Sequence, residues 1–180
     1  EERQEELELL GRDTEKLKEA AKTPYPRIRY DEAISILRRK GFRVDWGDDL
    51  GADEERALTQ EFSTPFFVTH FPKKIKAFYM KLDEDNPEVV LGFDLLAPEG
   101  YGEIIGGSVR EDSYDKLLQR IREEGLNPED YEWYLDLRKY GSVPHSGFGL
   151  GIERLVMWVA GLDHIRDATP FPRWRGRLYP

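Results

Sequence analysis

The stretch Gly147-Phe148-Gly149-Leu150-Gly151-Ile152-Glu153-Arg154 constrains the fold more than any other, because its period changes within one step. The first half alternates glycine with apolar residues, the two-residue repeat of a strand, which is expected over His145 to Gly151. From there Ile152, Leu155, Val156 and Val159 recur at helical spacing, so a helix over Ile152 to Ala160 should turn that face to the core. Arg154 lies off this face, in the first turn. Free amides, the positive end of the helix dipole and a guanidinium together suit a phosphate. Alternation of Gly147, Gly149 and Gly151 leaves one face of the strand without side chains, against which a flat ring such as adenine can lie. Glycines that only allow close helix packing, with Arg154 in a surface ion pair, would give the same string, and for the strand alone the two readings stand even.

A length of 180 residues suits one domain, or one domain with an arm, and 39% hydrophobic residues suffice for a core. The net charge of −9 argues against a dedicated nucleic-acid-binding module, although Arg173, Arg175 and Arg177 form a small basic tail. Absence of cysteine removes disulfides, thiolate metal sites and thiol nucleophiles, and points to a cytoplasmic protein. Neither end resembles a signal peptide, and no apolar run approaches the roughly 20 residues of a membrane span, so no membrane partner is expected. The chain opens at Glu1 within a charged helical pattern rather than with Met, which suggests a fragment.

Residues 1 to about 20 are expected as one polar helix with a sparse stripe of Leu7, Leu10 and Leu17. A second helix is expected from a cap at Asp31 to a stop at Gly41, and a third over Asp53 to Glu61. Short strands follow at Phe66 to Phe71, Ile75 to Lys81, Val89 to Leu96 and Glu103 to Ser108, separated by turn-forming clusters that favour antiparallel pairing. Two helices are placed near Tyr114 to Glu124 and Pro128 to Tyr140, the latter with Pro128 suited to a first turn after Asn127. The fold class is therefore α+β, a mostly antiparallel sheet flanked by helices.

Asp94 and Glu103 flank Pro98-Glu99-Gly100. A two-residue hairpin loop at Pro98 and Glu99 would set the two carboxylates directly opposite each other; a four-residue loop would keep them diagonal on one face, and an odd loop would separate them. Close carboxylates repel across a sheet unless compensated, and a hard cation such as Mg²⁺ bridged to nucleotide phosphates would compensate them. Two carboxylates on a wet sheet face are the simpler reading of these residues by themselves. The three histidines are too scattered for a metal cluster.

The octet from Gly147 to Arg154 resembles motif 3 of the class II aminoacyl-tRNA synthetases, and Pro144-His145-Ser146, Ile165-Arg166-Asp167 and Pro170-Phe171-Pro172-Arg173 look like the aspartyl/asparaginyl subgroup. The run from Phe93 to Ser108 is similar to the asparaginyl-tRNA synthetase stretch whose acidic residues hold Mg²⁺ at ATP, and Lys76-Ala77-Phe78-Tyr79-Met80 also looks family-like. The resemblance implies a partial class II catalytic domain in which Gly147, Gly149 and Gly151 lie under adenine. It further implies that Arg154 binds the ATP γ-phosphate as the catalytic cation, that Asp94 and Glu103 hold Mg²⁺ with Glu103 also at ATP, and that Arg110 reads the amino-acid side chain with His145 and Ser146 beside it. Because an odd offset separates Arg110 from Glu103, a bulge at Gly106-Gly107 is expected to re-aim it. By the same resemblance the parent enzyme is a homodimer that activates asparagine with ATP and transfers it to tRNA(Asn). The chain is expected to be the C-terminal portion of the catalytic domain, with motif 3 at residues 147–159 and with the anticodon barrel, motif 1 and motif 2 lying upstream.

Overall fold

The computed structural model describes residues 2–179, with β1 (Arg27–Arg29), β2 (Phe66–Thr69), β3 (Gly92–Ala97), β4 (Gly102–Val109) and β5 (Ser146–Leu150) side by side in chain order. β1 runs parallel to β2, and every later neighbour is antiparallel. Around the sheet lie α1 (Gln4–Leu9), α2 (Thr14–Ala20), α3 (Tyr30–Arg39), α4 (Ala52–Thr59), α5 (Tyr114–Glu123), α6 (Glu132–Lys139) and α7 (Ile152–Ala160). This is the α+β, mostly antiparallel class that the sequence indicates.

Alternation along β2 and β3 divides the core. Phe66, Val68 and Leu96 face Tyr30, Ile34 and Leu37 of α3 and Leu58 of α4. Leu95, Ala97 and Ile104 face the other way, toward Ala20 of α2 and Trp158 of α7. A third cluster, Leu117, Ile121 and Leu135, closes α5 on α6 and takes in Phe78 and Tyr79. Burial of each large side chain stabilises by roughly 1.5–3 kcal/mol. α3 and α4 thus cover one face at the β2–β3 end and leave its β4–β5 end open to a ligand.

Several expectations are corrected. In place of the single helix expected over residues 1 to about 20, the described residues 2–20 form two helices, because Gly11 turns through φ +77° and Arg12 folds inward to donate to both Glu99 carboxylate oxygens, at 2.9 and 2.7 Å. Asp13 then caps α2 by accepting from the Lys16 amide. α3 begins at Tyr30 rather than after a cap at Asp31: Tyr30 is fully buried with its hydroxyl on the Asp48 carbonyl, and Glu32 accepts from the Arg29 amide at the cap. Ile75 to Lys81 is not a strand. Both edges of β3 and of β4 are already paired, so the chain crosses as a 3₁₀ turn at Lys73–Ile75 and its backbone then meets the sheet at the isolated bridge Met80–Arg110. The parallel strand β1 has no signal in its sequence beyond the alternation of Arg27, Ile28 and Arg29. On α7 the buried side is Leu155, Trp158 and Val159, whereas Ile152 and Val156 are exposed.

Candidate functional site

The β3–β4 hairpin closes through four residues, Pro98 to Tyr101, with Glu99 and Gly100 at φ +65° and +90°. Ala97 faces Gly102 and Leu96 faces Glu103, but Leu95 faces Ile105, so Ile104 is one residue extra on β4. This bulge controls the site. It turns Ile104 and Ile105 both toward the Trp158 side and shifts the alternation beyond it, so that Glu103, Gly106, Ser108 and Arg110 share the opposite face. The bulge that aligns Arg110 with Glu103 therefore lies at Ile104, not at Gly106-Gly107. Those two glycines serve as floors: a Cβ on Gly106 would come 2.7 Å from Glu103 Oε1 and 3.4 Å from Asp94 Oδ1, and a Cβ on Gly107 would strike the Phe93 ring at 2.5 Å.

Asp94 and Glu103 thus meet over Gly106, on the diagonal of the four-residue loop rather than directly opposite. Lys76 Nζ lies 2.7 Å from Asp94 Oδ2 and above the Phe71 ring. Burial raises the Asp94 carboxyl above its ordinary range; Lys76 pulls it back, and Glu103 adds to the rise. Among the described residues no three His, Cys, Asp or Glu side chains are grouped to hold a metal. Two carboxylates over a side-chain-free glycine nevertheless have the donor chemistry that suits Mg²⁺, which is commonly bound through one or two carboxylates together with phosphates and water.

Glu55 of α4, which the sequence reading passes over, joins this group: its Oε2 accepts from the Glu103 amide at 2.9 Å. Burial raises the Glu55 carboxyl, the Glu103 amide lowers it, and the Glu103 and Asp94 charges raise it further. Arg154 folds back over Gly151 and donates from Nη1 to the Glu103 carbonyl at 2.7 Å. A cleft of about 570 Å³ opens here, lined among others by Glu55, Arg56, Tyr101, Glu103 and Arg154. An ordinary acidic first turn, Asp53-Glu54-Glu55, gave no signal for Glu55 except its helical phase.

At the other end of β4, Arg110 stacks over Tyr79 at 4.7 Å and donates to Ser108 Oγ at 2.6 Å. It crosses Gly147, whose Cβ would come 3.1 Å from Arg110 Nη2. Arg110 also lines an aromatic hollow of about 460 Å³ with Phe78, Tyr79, Tyr131, Trp133 and Tyr134. Of the three glycines only Gly149 presents bare backbone, with nothing within 4 Å of its Cβ position; Gly147 lies under Arg110, and Gly151 has left the strand to cap α7 beneath Arg154. Ser146 pairs with Val109 and so points to the face away from Arg110, so the structure does not bring these two side chains together. His145 gives its carbonyl to the Arg110 amide and turns its exposed ring to the Val143 carbonyl.

One sheet face therefore carries, in order, an arginine beside a helix start, a carboxylate pair, a bare glycine and a second arginine over aromatic rings. Comparison with known proteins shows which family the chain resembles. The asparagine–tRNA ligase of Thermococcus kodakarensis is 67% identical over 178 residues, covering 99% of this chain and 41% of that protein. Asparaginyl-tRNA synthetase from Pyrococcus horikoshii superposes with a TM-score of 0.96 at 67% identity, over 99% of this chain and 42% of that one. Its complex with asparaginyl-adenylate superposes at 0.95, with 67% identity over 99% of this chain and 41% of that one. The chain spans about two-fifths of the length of the relatives it matches. Residues 3–175 match the model of the tRNA synthetases class II (D, K and N), and the chain belongs to that family.

Proposed function

We propose that this chain is the C-terminal portion of the catalytic domain of an enzyme that activates asparagine with ATP and ligates it to tRNA(Asn). The observation that carries the reading is the common face of Glu103 and Arg110, seven residues apart and brought into line by the Ile104 bulge. Triphosphate and amino acid can then lie along one strand, with adenine over Gly149 between β5 and solvent.

In this reading Arg154 keeps the guanidinium donors not used on the Glu103 carbonyl for the γ-phosphate, helped by the α7 N-terminus. Asp94 and Glu103 would hold Mg²⁺, which when bound offsets the charge of the phosphates. Arg110, fixed by Ser108 and Tyr79, donates to the side-chain carbonyl of asparagine, and His145 borders that end. The asparagine carboxylate attacks the α-phosphorus, the bond to the β-phosphate oxygen breaks, and pyrophosphate leaves. A terminal ribose hydroxyl of the tRNA then attacks the adenylate carbonyl and AMP leaves. Neither step needs a side-chain nucleophile; positioning and fixed charge supply the rate. The resemblance further supports a cytoplasmic homodimer, and no described helix is long and apolar enough to cross a membrane.

The test is pyrophosphate exchange into ATP by the complete protein that contains this chain. Asparagine should support exchange and aspartate should not, and Arg154→Ala should lower the rate by about 10²-fold or more. Exchange driven by aspartate would overturn the asparagine assignment, and exchange with neither would overturn the enzyme reading.

A further inference from the structure

Residue Glu103 has an unusual place in the sheet. Its inner neighbour is Leu96 of β3, but on the outer side β5 stops at Leu150, opposite Ile105, the Gly151 amide makes a last bond to the Ile104 carbonyl at 3.0 Å, and the chain then turns away into α7. The outward amide and carbonyl of Glu103 thus project past the end of the neighbouring strand, where an unmet backbone group would cost about 1–3 kcal/mol. Two side chains take the place of the missing strand. Glu55 Oε2 accepts from the amide at 2.9 Å, and Arg154 Nη1 donates to the carbonyl at 2.7 Å. Gly102, at φ +75°, makes room: a Cβ there would sit 2.6 Å from Glu55 Oε2.

We propose that Glu55 is a positioning residue for the metal and phosphate end of the site, acting by fixing the main chain of Glu103 between itself and Arg154 so that the Glu103 carboxylate stays over Gly106 beside Asp94. This rests on the function proposed above. Glu55 acts through Glu103, because what it holds is the main-chain amide and not a ligand. Three features support an orienting role over plain packing. The carboxylate spans from α4 to the strand end, it bonds at the first residue before the bulge, and its partner across the residue is the arginine assigned to phosphate.

The experiment uses the complete protein with Glu55→Ala, Glu55→Gln and Gly102→Ala. In Glu55→Ala the Mg²⁺ concentration for half-maximal exchange should rise about 10-fold or more, the range for losing an outer partner of a metal ligand, while KM for asparagine stays within about 2-fold. Glu55→Gln retains an acceptor oxygen and should restore Mg²⁺ dependence to within about 3-fold. Gly102→Ala, which crowds Glu55 without removing it, should reproduce the Glu55→Ala effect and serves if that variant does not fold. Amide hydrogen exchange, read without substrate, should speed up at Glu103 in Glu55→Ala and Gly102→Ala but not in Glu55→Gln. Unchanged Mg²⁺ dependence with an unchanged Glu103 amide would overturn the proposal. So would Glu55→Gln failing as badly as Glu55→Ala, which would make Glu55 act by its charge. Wild-type protein without asparagine-dependent exchange would instead defeat the functional reading, leaving the Glu103 amide measurement to judge the positioning role by itself.

Discussion

Glycines set the resolution of the site at the level of single residues. At Gly149 an added methyl meets nothing within 4 Å, so Gly149→Ala should shift the melting temperature by less than about 2–4 °C, the change that 1 kcal/mol produces in a domain of this size. If adenine lies on that backbone, KM for ATP should nevertheless rise by about 10-fold, one methyl of overlap being worth about 1–3 kcal/mol; unchanged KM with unchanged melting would move the ring elsewhere. Gly106 differs, because its Cβ would displace the end of Glu103, a flexible carboxylate that can move away. The cost there falls on the metal end rather than on folding. At Gly107 the obstacles are the Phe93 ring and the Gly147 carbonyl, so the same change there reaches the core.

Among the elements, the bulged strand β4 and the arm made by α1 and α2 depend on contacts distant in sequence. Arg12 links the arm to the hairpin tip, donating to Glu99 and to the Val159 carbonyl while its own side chain is only 6% exposed. The bond from Arg12 holds the Glu99 carboxyl below its ordinary value of 4.5, outweighing the opposing effect of burial. A carboxyl lowered on folding stabilises above its unfolded pKa, and that contribution is lost as pH falls through the lowered value. Glu99→Gln should therefore cost about 1–2 kcal/mol at pH 7, allowing for partial exposure of the pair. In melting curves taken from pH 7 downward, the gap between wild type and variant should close below about pH 4.5. A gap that is constant with pH would show that charge at Glu99 does not hold the arm.

On the scale of the whole molecule, among the described residues no strand pairs with the outer edge of β5, and Phe148, Ile152 and Val156 are exposed next to it, Phe148 by 67%. A free strand edge beside apolar side chains is a template for pairing. A protein consisting of these 180 residues should therefore self-associate, with a sedimentation coefficient that rises with concentration, and Phe148→Lys should shift it toward monomer. Concentration-independent sedimentation of the wild-type chain would show that this edge does not drive association. The relatives run to more than twice this length, enough chain to supply cover for such a face.

Much of this was legible from residue order. The change from alternation to helical spacing at Ile152 located β5, α7 and Arg154, because period is a local property; the turn clusters likewise gave β3, β4 and the α+β class. Local order also placed Asp94 and Glu103 as candidates, and the family resemblance added Arg110, but neither supplied their geometry. Only the tertiary structure put the bulge at Ile104, since its place depends on how Leu95 and Leu96 meet β4. The same packing took Ser146 to the face away from Arg110, exposed Ile152, and drew Lys76 to Asp94 from a segment that reads as a strand. Glu55 marks the limit most clearly. Nothing in an acidic helix turn distinguishes it until a strand 48 residues later leaves an amide unpaired beside it, and the need to satisfy a backbone group is a property of the assembled sheet rather than of any segment.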